Sequence, residues 1–450
     1  MAKTKKKETL TPEERLQAAL VPESEQPYPV PANWCWVRLG SLLSEIKNGT
    51  TIKQDKSGIG FKVTRIESLQ NQTIDFGRLG TIVNAQEIKD MDWYLAGDIA
   101  LSHINSAEHV GKTALINADM LPLVHGMNLL RLRFYSECCM PLFFQYFSQS
   151  FQYKDEILTR INMAVNQVSI NQKQISSLEI PLPPVCEQQR IVDRIESLFA
   201  KLDEAKQKAQ DALDSFETRK AAILHKAFTG ELTAQWRKEH GVGMESWNSK
   251  PLSRVTENHD SERIPLSQAE RSKLARVYDY YGASGVIDKV DRFLFEGRKL
   301  LIGEDGANLV TRSKPIAFIA EGQYWVNNHA HVLSVTSEML LDFLCHYINS
   351  IDLTPYVTGS AQPKMTQAKM NTIPVPVPTV DEQTEIVRIL DDLLAKEQQA
   401  KEAAEGVLEQ IDLMKKAILA RAFRGELGTN DPREESAVEL LKQISSCLPG

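Results

Sequence analysis

The side chains of this 450-residue chain best suited to holding a nucleic acid gather in short polar loops. In the first half they fall at 46–53, 102–112 and 124–128. These stretches supply Lys47, Asn48, Thr50, Thr51 and Lys53, then Ser102, His103, Asn105 and Lys112, then His125 and Asn128, with Arg65 between them. In the second half the stretches 280–288, 303–314 and 327–331 supply Tyr281 and Ser284, then Asn308, Arg312 and Lys314, then Asn327, Asn328 and His329. Arg298 precedes them, and Gln362 with Lys364 follows. Such residue types bond base edges or phosphates, and interspersed glycines let a backbone come close. A single one of these residues serves a turn equally well, so the clusters carry the expectation.

Covalent chemistry has a much weaker basis. No Asn-Pro-Pro-Tyr or Asp-Pro-Pro-Tyr run, no G-x-G-x-x-G turn and no G-x-x-x-x-G-K-[ST] loop occurs, so neither methyl transfer nor nucleotide hydrolysis has its signature. Asp75, Glu87 and Lys89 imitate the spacing of a nuclease metal site, a loose pattern that long chains produce by chance. His329 and His331 would share one face of a strand, where DNA or a turn could use them as well as a metal. Cys35, Cys138, Cys139, Cys186, Cys345 and Cys447 form no C-x-x-C pair and read as reduced thiols. No metal site or cofactor is expected. The net charge of −7 is awkward for a protein that coats DNA alone, and it leaves positive surface to partner subunits. With no apolar run approaching a membrane span, a cytoplasmic location is expected.

The elements that must position these loops declare themselves through a repeat. Residues 181–232 and 376–427 align without a gap at one constant offset and share 23 identities in 52 positions. One inserted residue would turn every later side chain by about 100° around a helix, so the length is under constraint. Ile191, Ile195, Leu198, Leu202, Ala205, Ala209, Ala212 and Phe216 alternate by four and three. Ile386, Leu390, Leu393, Ala400, Ala404, Val407, Ile411, Met414 and Ile418 repeat that seam, with Glu397 as its one interruption. Each copy predicts a single long helix, roughly 65 Å over 187–229. Prolines precede both, Glu187 and Glu382 stand in the first turn, Thr379 with Glu382 has capping-box spacing, and Gly230 and Gly425 mark left-handed ends.

Ahead of each helix lies a mixed segment with the same order of elements. FKVTRI, DIALSHI, TALI and NLLRLRF (128–134) predict strands before a helix at 141–158. KLLIG, IAFIA, YWVNN and HVLSV predict them before a helix at 339–351. The fold class is α+β: two mixed α/β domains joined by two long helices that form an antiparallel coiled coil, with a pseudo-two-fold internal repeat. The expected boundaries are a tail with a short helix at 1–27, mixed domains at 28–180 and 247–375, spacer helices at 181–232 and 376–427, a linker at 233–246 and a tail with a short helix at 428–450. The capped amphipathic runs 11–20 and 435–446 are candidates for partner contact.

The prolines followed by Glu187-Gln188 and Glu382-Gln383, the long helices, and Ala-Phe-x-Gly-Glu-Leu at 227–232 and 422–427 together resemble the specificity subunits of type I restriction–modification systems. YYGASGVID, LLIGEDGAN and YWVNNHAHV resemble stretches of that family's target-recognition domains, and the similarity spans roughly residues 30–430. The resemblance implies a non-catalytic subunit that binds an asymmetric, bipartite site in double-stranded DNA. It implies two modification subunits that methylate adenine with S-adenosylmethionine. Two restriction subunits that use ATP, with Mg, complete the implied complex. The heptads by themselves would also suit a coiled-coil scaffold that reads no DNA.

Overall fold

The computed structural model describes residues 11–55, 58–164, 167–359 and 362–447, and the basic stretch 1–10 lies outside them. The chain divides into two units, one of residues 1–208 with 407–450, the other of 209–406. Among the described residues no helix is long and apolar enough to cross a membrane.

The first unit is built on an antiparallel sheet in the spatial order Leu43–Asn48, Leu129–Phe134, Ile99–Ser102, Thr113–Leu115. Ile99, Leu101, Leu130 and Leu132 face its main core, against the helices Pro141–Phe147 and Phe151–Arg160. A single helix had been expected at 141–158. It breaks at 148–150 because the Ser148 hydroxyl bonds back to the Gln145 carbonyl and Ser150 caps the next helix through the Tyr153 N–H.

The second unit repeats the sheet with Thr256–Asn258, Ala330–Val335, Lys299–Gly303 and Ala317–Ala320, again antiparallel, over the helix Leu341–Ser350. It adds a second sheet, in which Gln323–Val326 pairs parallel to Tyr278–Gly282 while Gly285–Val290 and Phe295–Glu296 flank them. In both units the strand entering the domain pairs with the strand leaving it: Cys35–Arg38 with Glu179–Leu182, and Asn248–Pro251 with Pro374–Val377. Of the prolines that were expected only to bar a helix, Pro181, Pro374 and Pro376 sit in these two-stranded ribbons, where each strand has one unpaired side that tolerates a missing N–H.

The second spacer helix is continuous over Val380–Ala422, 43 residues. The first is not. It runs Val185–Asp214, breaks at Ser215 and resumes as Phe216–Phe228. The Ser215 hydroxyl bonds back to the carbonyls of Asp211 and Ala212, and Arg219 also donates to Ala212, so side chains crowd these acceptors at the break, although the Ser215 N–H still reaches the Asp211 carbonyl at 3.1 Å. Gly230 and Gly425 adopt the expected left-handed φ of 81° and 75°.

The seam needs one correction. Ile191, Ile195, Phe216, Ile386, Leu390 and Ile411 are buried, and Leu198, Leu202, Leu393 and Ile418 half-buried. Val407 and Met414, however, are 39% and 48% exposed, and Ala212 and Ala400 are exposed too. Glu397, Ala404, Ile411 and Ile418 keep their row, but their companions lie four residues on, at Lys401, Leu408 and Lys415. The Lys401 ammonium lies over the Phe216 ring at 4.9 Å, and that of Lys415 lies over Phe199 at 5.0 Å while pairing with Asp203. Glu397, which interrupts the apolar pattern, pairs with Arg219 at 2.8 Å.

The repeated Glu-Gln pair is where each helix is bolted to its domain. Gln188 donates to the carbonyls of Cys138 and Pro183 and accepts from the Met140 N–H. Gln383 does the same with Glu338, Pro378 and Leu340. The Glu187 carboxylate accepts from the Trp34 indole at 2.7 Å, from Asn430 at 2.8 Å and from Thr429 at 3.3 Å. Glu382 accepts from Arg237 at 2.6 Å, Thr233 at 2.7 Å and the Trp247 indole at 2.9 Å. All four side chains are fully buried. Glu382 therefore does not close a capping box: the Thr379 hydroxyl accepts from its N–H, but its carboxylate is taken elsewhere. The helices Pro12–Ala19 and Ala437–Cys447, expected to meet partners, pack on each other within the first unit.

Candidate nucleic-acid interface

At one end of the first unit's sheet the loops holding the predicted residues converge. Thr50 donates its N–H to the His125 carbonyl, and Gly126 donates to the Thr64 hydroxyl. Two glycines make this possible, because a Cβ on Gly49 would lie 1.9 Å from the Gly126 carbonyl oxygen and one on Gly126 would lie 1.7 Å from the Thr64 carbonyl oxygen. Thr51, Lys53, Arg65 and Asn128 then share a cleft of 360 Å³ with Gln54, Glu67 and Met127. Lys53 and Thr51 are exposed, Arg65 pairs with Glu67 at 3.1 Å, and Asn128 takes a left-handed φ of 66°. Lys47 and Thr50 are half-buried and Asn48 exposed nearby, while Asn105 donates to the Ser102 hydroxyl. Lys112 belongs to a separate cavity of 320 Å³ with Asn71, Gln72 and Lys154.

Two predicted residues of this unit are corrected. His125 is 1% exposed, its Nε2 bonds the Leu129 carbonyl and its ring leans on Tyr94. Burial first, then the Arg131 charge, pushes its pKa down to about 3, so it is a neutral packing imidazole. Ser102 is also 1% exposed and serves Asn105. His103, half-buried, is likewise held below its ordinary pKa by burial, opposed by a backbone bond to Asn128.

In the second unit Ser284, Asn308, Asn327 and His329 meet around a cleft of 430 Å³ with Gly282, Ala283, Ile287, Asp305, Gly306 and Ala307. His329 Nδ1 lies 2.8 Å from Asp305 Oδ2. Asn327 is 4% exposed and accepts the His329 N–H, so it braces the loop and cannot reach a base. Asn308 locks its own loop through both Lys314 backbone groups and Ser313. Arg312 is turned inward: its guanidinium donates to the carbonyls of Asn349 and Ile351, and burial lowers its pKa. Arg298 pairs with Asp342 at 2.7 Å and Lys364 with Glu304 at 3.1 Å. Tyr281 packs among Phe318 and Tyr324, whereas Asn328, Lys314 and Gln362 are exposed.

The expected sharing of a face by His329 and His331 fails. His329 precedes its strand and is exposed, while His331 is buried, with Nδ1 2.6 Å from Asp260 and Nε2 2.9 Å from the Met365 carbonyl. Burial raises the Asp260 carboxyl, but bonds from His331 and the Val332 N–H outweigh it and hold the pKa low. The nuclease-like trio disperses into local turns, Asp75 bonding Gly77 and Arg78, and Glu87 bonding Asn84. Among the described residues no group of three or more His, Cys, Asp or Glu is placed to hold a metal ion. Asp305 and Ile287 were missed as site residues. Both stand in stretches singled out for their glycines, but nothing local marks Asp305 as the partner of a histidine 24 positions on.

The type I restriction modification DNA specificity domain matches this chain twice, at residues 31–213 and 244–406. A putative type I restriction enzyme MjaX specificity subunit of Methanocaldococcus jannaschii is 29% identical over 425 residues, 88% of this chain and 94% of the relative. The EcoKI specificity subunit of Escherichia coli K12 is 31% identical over 202 residues, covering 44% of this chain and 43% of the relative. The crystal structure of the HsdS subunit from Thermoanaerobacter tengcongensis superimposes with a TM-score of 0.63 at 18% identity, over 90% of this chain and all of the other, which bears on the fold alone. With both halves of the chain matched, and two like sheets each ending in a polar cleft, the chain belongs to the type I restriction–modification DNA specificity family.

Proposed function

We propose that this specificity subunit reads an asymmetric, bipartite site in double-stranded DNA, each recognition domain addressing one half. The observation that carries the reading is a pair of equivalent sheets whose clefts are lined differently: Thr51, Lys53, Arg65 and Asn128 in one, Ser284, Asn308, His329 and Asp305 in the other. A shared framework with unlike polar linings suits two unlike half-sites better than it suits a scaffold without DNA.

The two long helices act as an antiparallel coiled-coil spacer. Contacts within each unit support this: Phe199 and Asp203 meet Lys415 in the first, while Phe216 meets Lys401 and Arg219 meets Glu397 in the second. The chain itself does no bond chemistry. Methylation with S-adenosylmethionine and ATP-driven, Mg-dependent cleavage belong to two modification and two restriction subunits that it docks, whose surfaces supply the positive charge this acidic chain lacks.

The test is a domain exchange. Replacing residues 28–180 by those of a relative, in cells carrying the complete system, should change one half of the methylated site and leave the other half and the gap intact. Changes in both halves, or in neither, would defeat the reading.

A further inference from the structure

We propose that His329, held by Asp305, reads one base pair of the half-site addressed by the second recognition domain, through a hydrogen bond at Nε2. The inference rests on the recognition reading above and assigns it an atom.

Three of the residue's four polar groups are committed inside the fold. Its N–H donates to the buried Asn327 side chain at 2.8 Å, and its carbonyl accepts from the Glu304 N–H at 2.9 Å. Its Nδ1 lies 2.8 and 3.0 Å from the two Asp305 oxygens. A carboxylate only accepts, so Nδ1 carries the proton it donates, and the ring is fixed in one orientation. No described residue partners Nε2. The side chain is 50% exposed at the edge of the 430 Å³ cleft, whose wall of Gly282, Ala283, Ser284, Gly306 and Ala307 leaves room for a broad planar group to approach.

Asp305 is itself anchored, because Gly306 donates to the Pro363 carbonyl and Asp305 bridges Lys364 across the neighbouring turn. Of the other charged candidates of this unit, Arg298 and Lys364 are engaged in ion pairs and Arg312 with main-chain carbonyls, which leaves the exposed Lys314. A short ring already immobilised by two partners loses little side-chain freedom when it meets a base edge, whereas a long cationic chain must first be ordered. Asp305 is thus a positioning residue and His329 the group that touches DNA.

The experiment uses the complete modification complex and duplexes carrying the site mapped by methylation in wild-type cells. Each base pair of the half-site is replaced in turn by the other three. Wild-type protein should discriminate at one position that H329A flattens by about tenfold, leaving all other positions unchanged. D305A should weaken the same position, and D305N, which keeps an acceptor for Nδ1–H, should restore it. H329Q serves as the second variant should H329A fail to fold.

Full discrimination by H329A at every position would overturn the proposal. So would an equal loss on all sequences with a shallower salt dependence, which marks a phosphate contact. Exchange of residues 247–375 separates the levels. An unchanged wild-type site after exchange sinks the recognition reading, while a changed site with H329A reading as wild type sinks only the dyad.

Discussion

Replacing Glu382 by Gln tests how the spacer helix is held to its domain. The carboxylate is fully buried and accepts from the Arg237 guanidinium, the Thr233 hydroxyl and the Trp247 indole. Gln keeps the shape but leaves Arg237, whose side chain is 9% exposed, without a counter-charge. Breaking one partner of a buried pair costs about 3–5 kcal/mol. For a unit of this size that corresponds to a fall in Tm of about 6–20 °C.

The equivalent Glu187 is the control. Its donors Trp34, Asn430 and Thr429 are all neutral, and the nearby Arg190 guanidinium is spent on Glu434. E187Q strands no cation and should cost about 1–2 kcal/mol. Calorimetry resolves the question, because two units should give two transitions, and E382Q should lower one far more than E187Q lowers the other. An R237M/E382L double variant, which removes both charges, should recover most of the loss. Equal shifts for E382Q and E187Q, or no shift for E382Q, would refute the assignment of the cost to a stranded cation.

Acid should weaken the first unit through His125. Its folded pKa of about 3 lies below the unfolded value of about 6.5, so the unfolded chain takes up the proton first and stability falls as pH drops from about 6.5 toward 3. The slope is up to about 1.4 kcal/mol per pH unit. Urea unfolding of wild type and H125Q between about pH 5 and pH 7 measures it, and identical slopes would count against the neutral buried imidazole. At the end of the second spacer helix, G425A should cost more than G428A. Both residues have positive φ, which alone costs about 1–2 kcal/mol, but a Cβ at Gly425 meets Pro31 at 2.4 Å whereas one at Gly428 meets nothing. Equal denaturation midpoints for the two variants would mean that the contact with Pro31 yields freely.

What was legible in the residues follows the range of the forces involved. The gapless duplication, the row Glu397, Ala404, Ile411 and Ile418, and the left-handed glycines are local patterns, and the structure keeps them, whereas the row through Ala400, Val407 and Met414 turns outward. The break at Ser215 was not legible, because it depends on a serine hydroxyl and the Arg219 guanidinium both competing for the Ala212 carbonyl. Nor was the shift from Val407 to Leu408, since apolar spacing cannot reveal that the ammonium groups of Lys401 and Lys415 lie over aromatic rings. Among the loop residues, polarity alone could not separate exposed Lys53 and His329 from buried His125 and Asn327. That distinction is made by strand pairing across dozens of positions, as when Thr50 meets the backbone at His125.

The lock on Glu187 has a bearing on the order in which the molecule is made. Asn430 and Thr429 close it, and Phe423, 1% exposed, meets Phe143 and Phe147 edge to face in the first unit's core. The stretch 407–447 leaves the ribosome after the second unit, yet the unit it completes began before that one. The second unit, one uninterrupted piece of chain, can reach its native packing while the earlier portion still waits with an open hydrophobic face. A nascent chain stalled before residue 407 would therefore carry one finished domain and one exposed to chaperones and proteases.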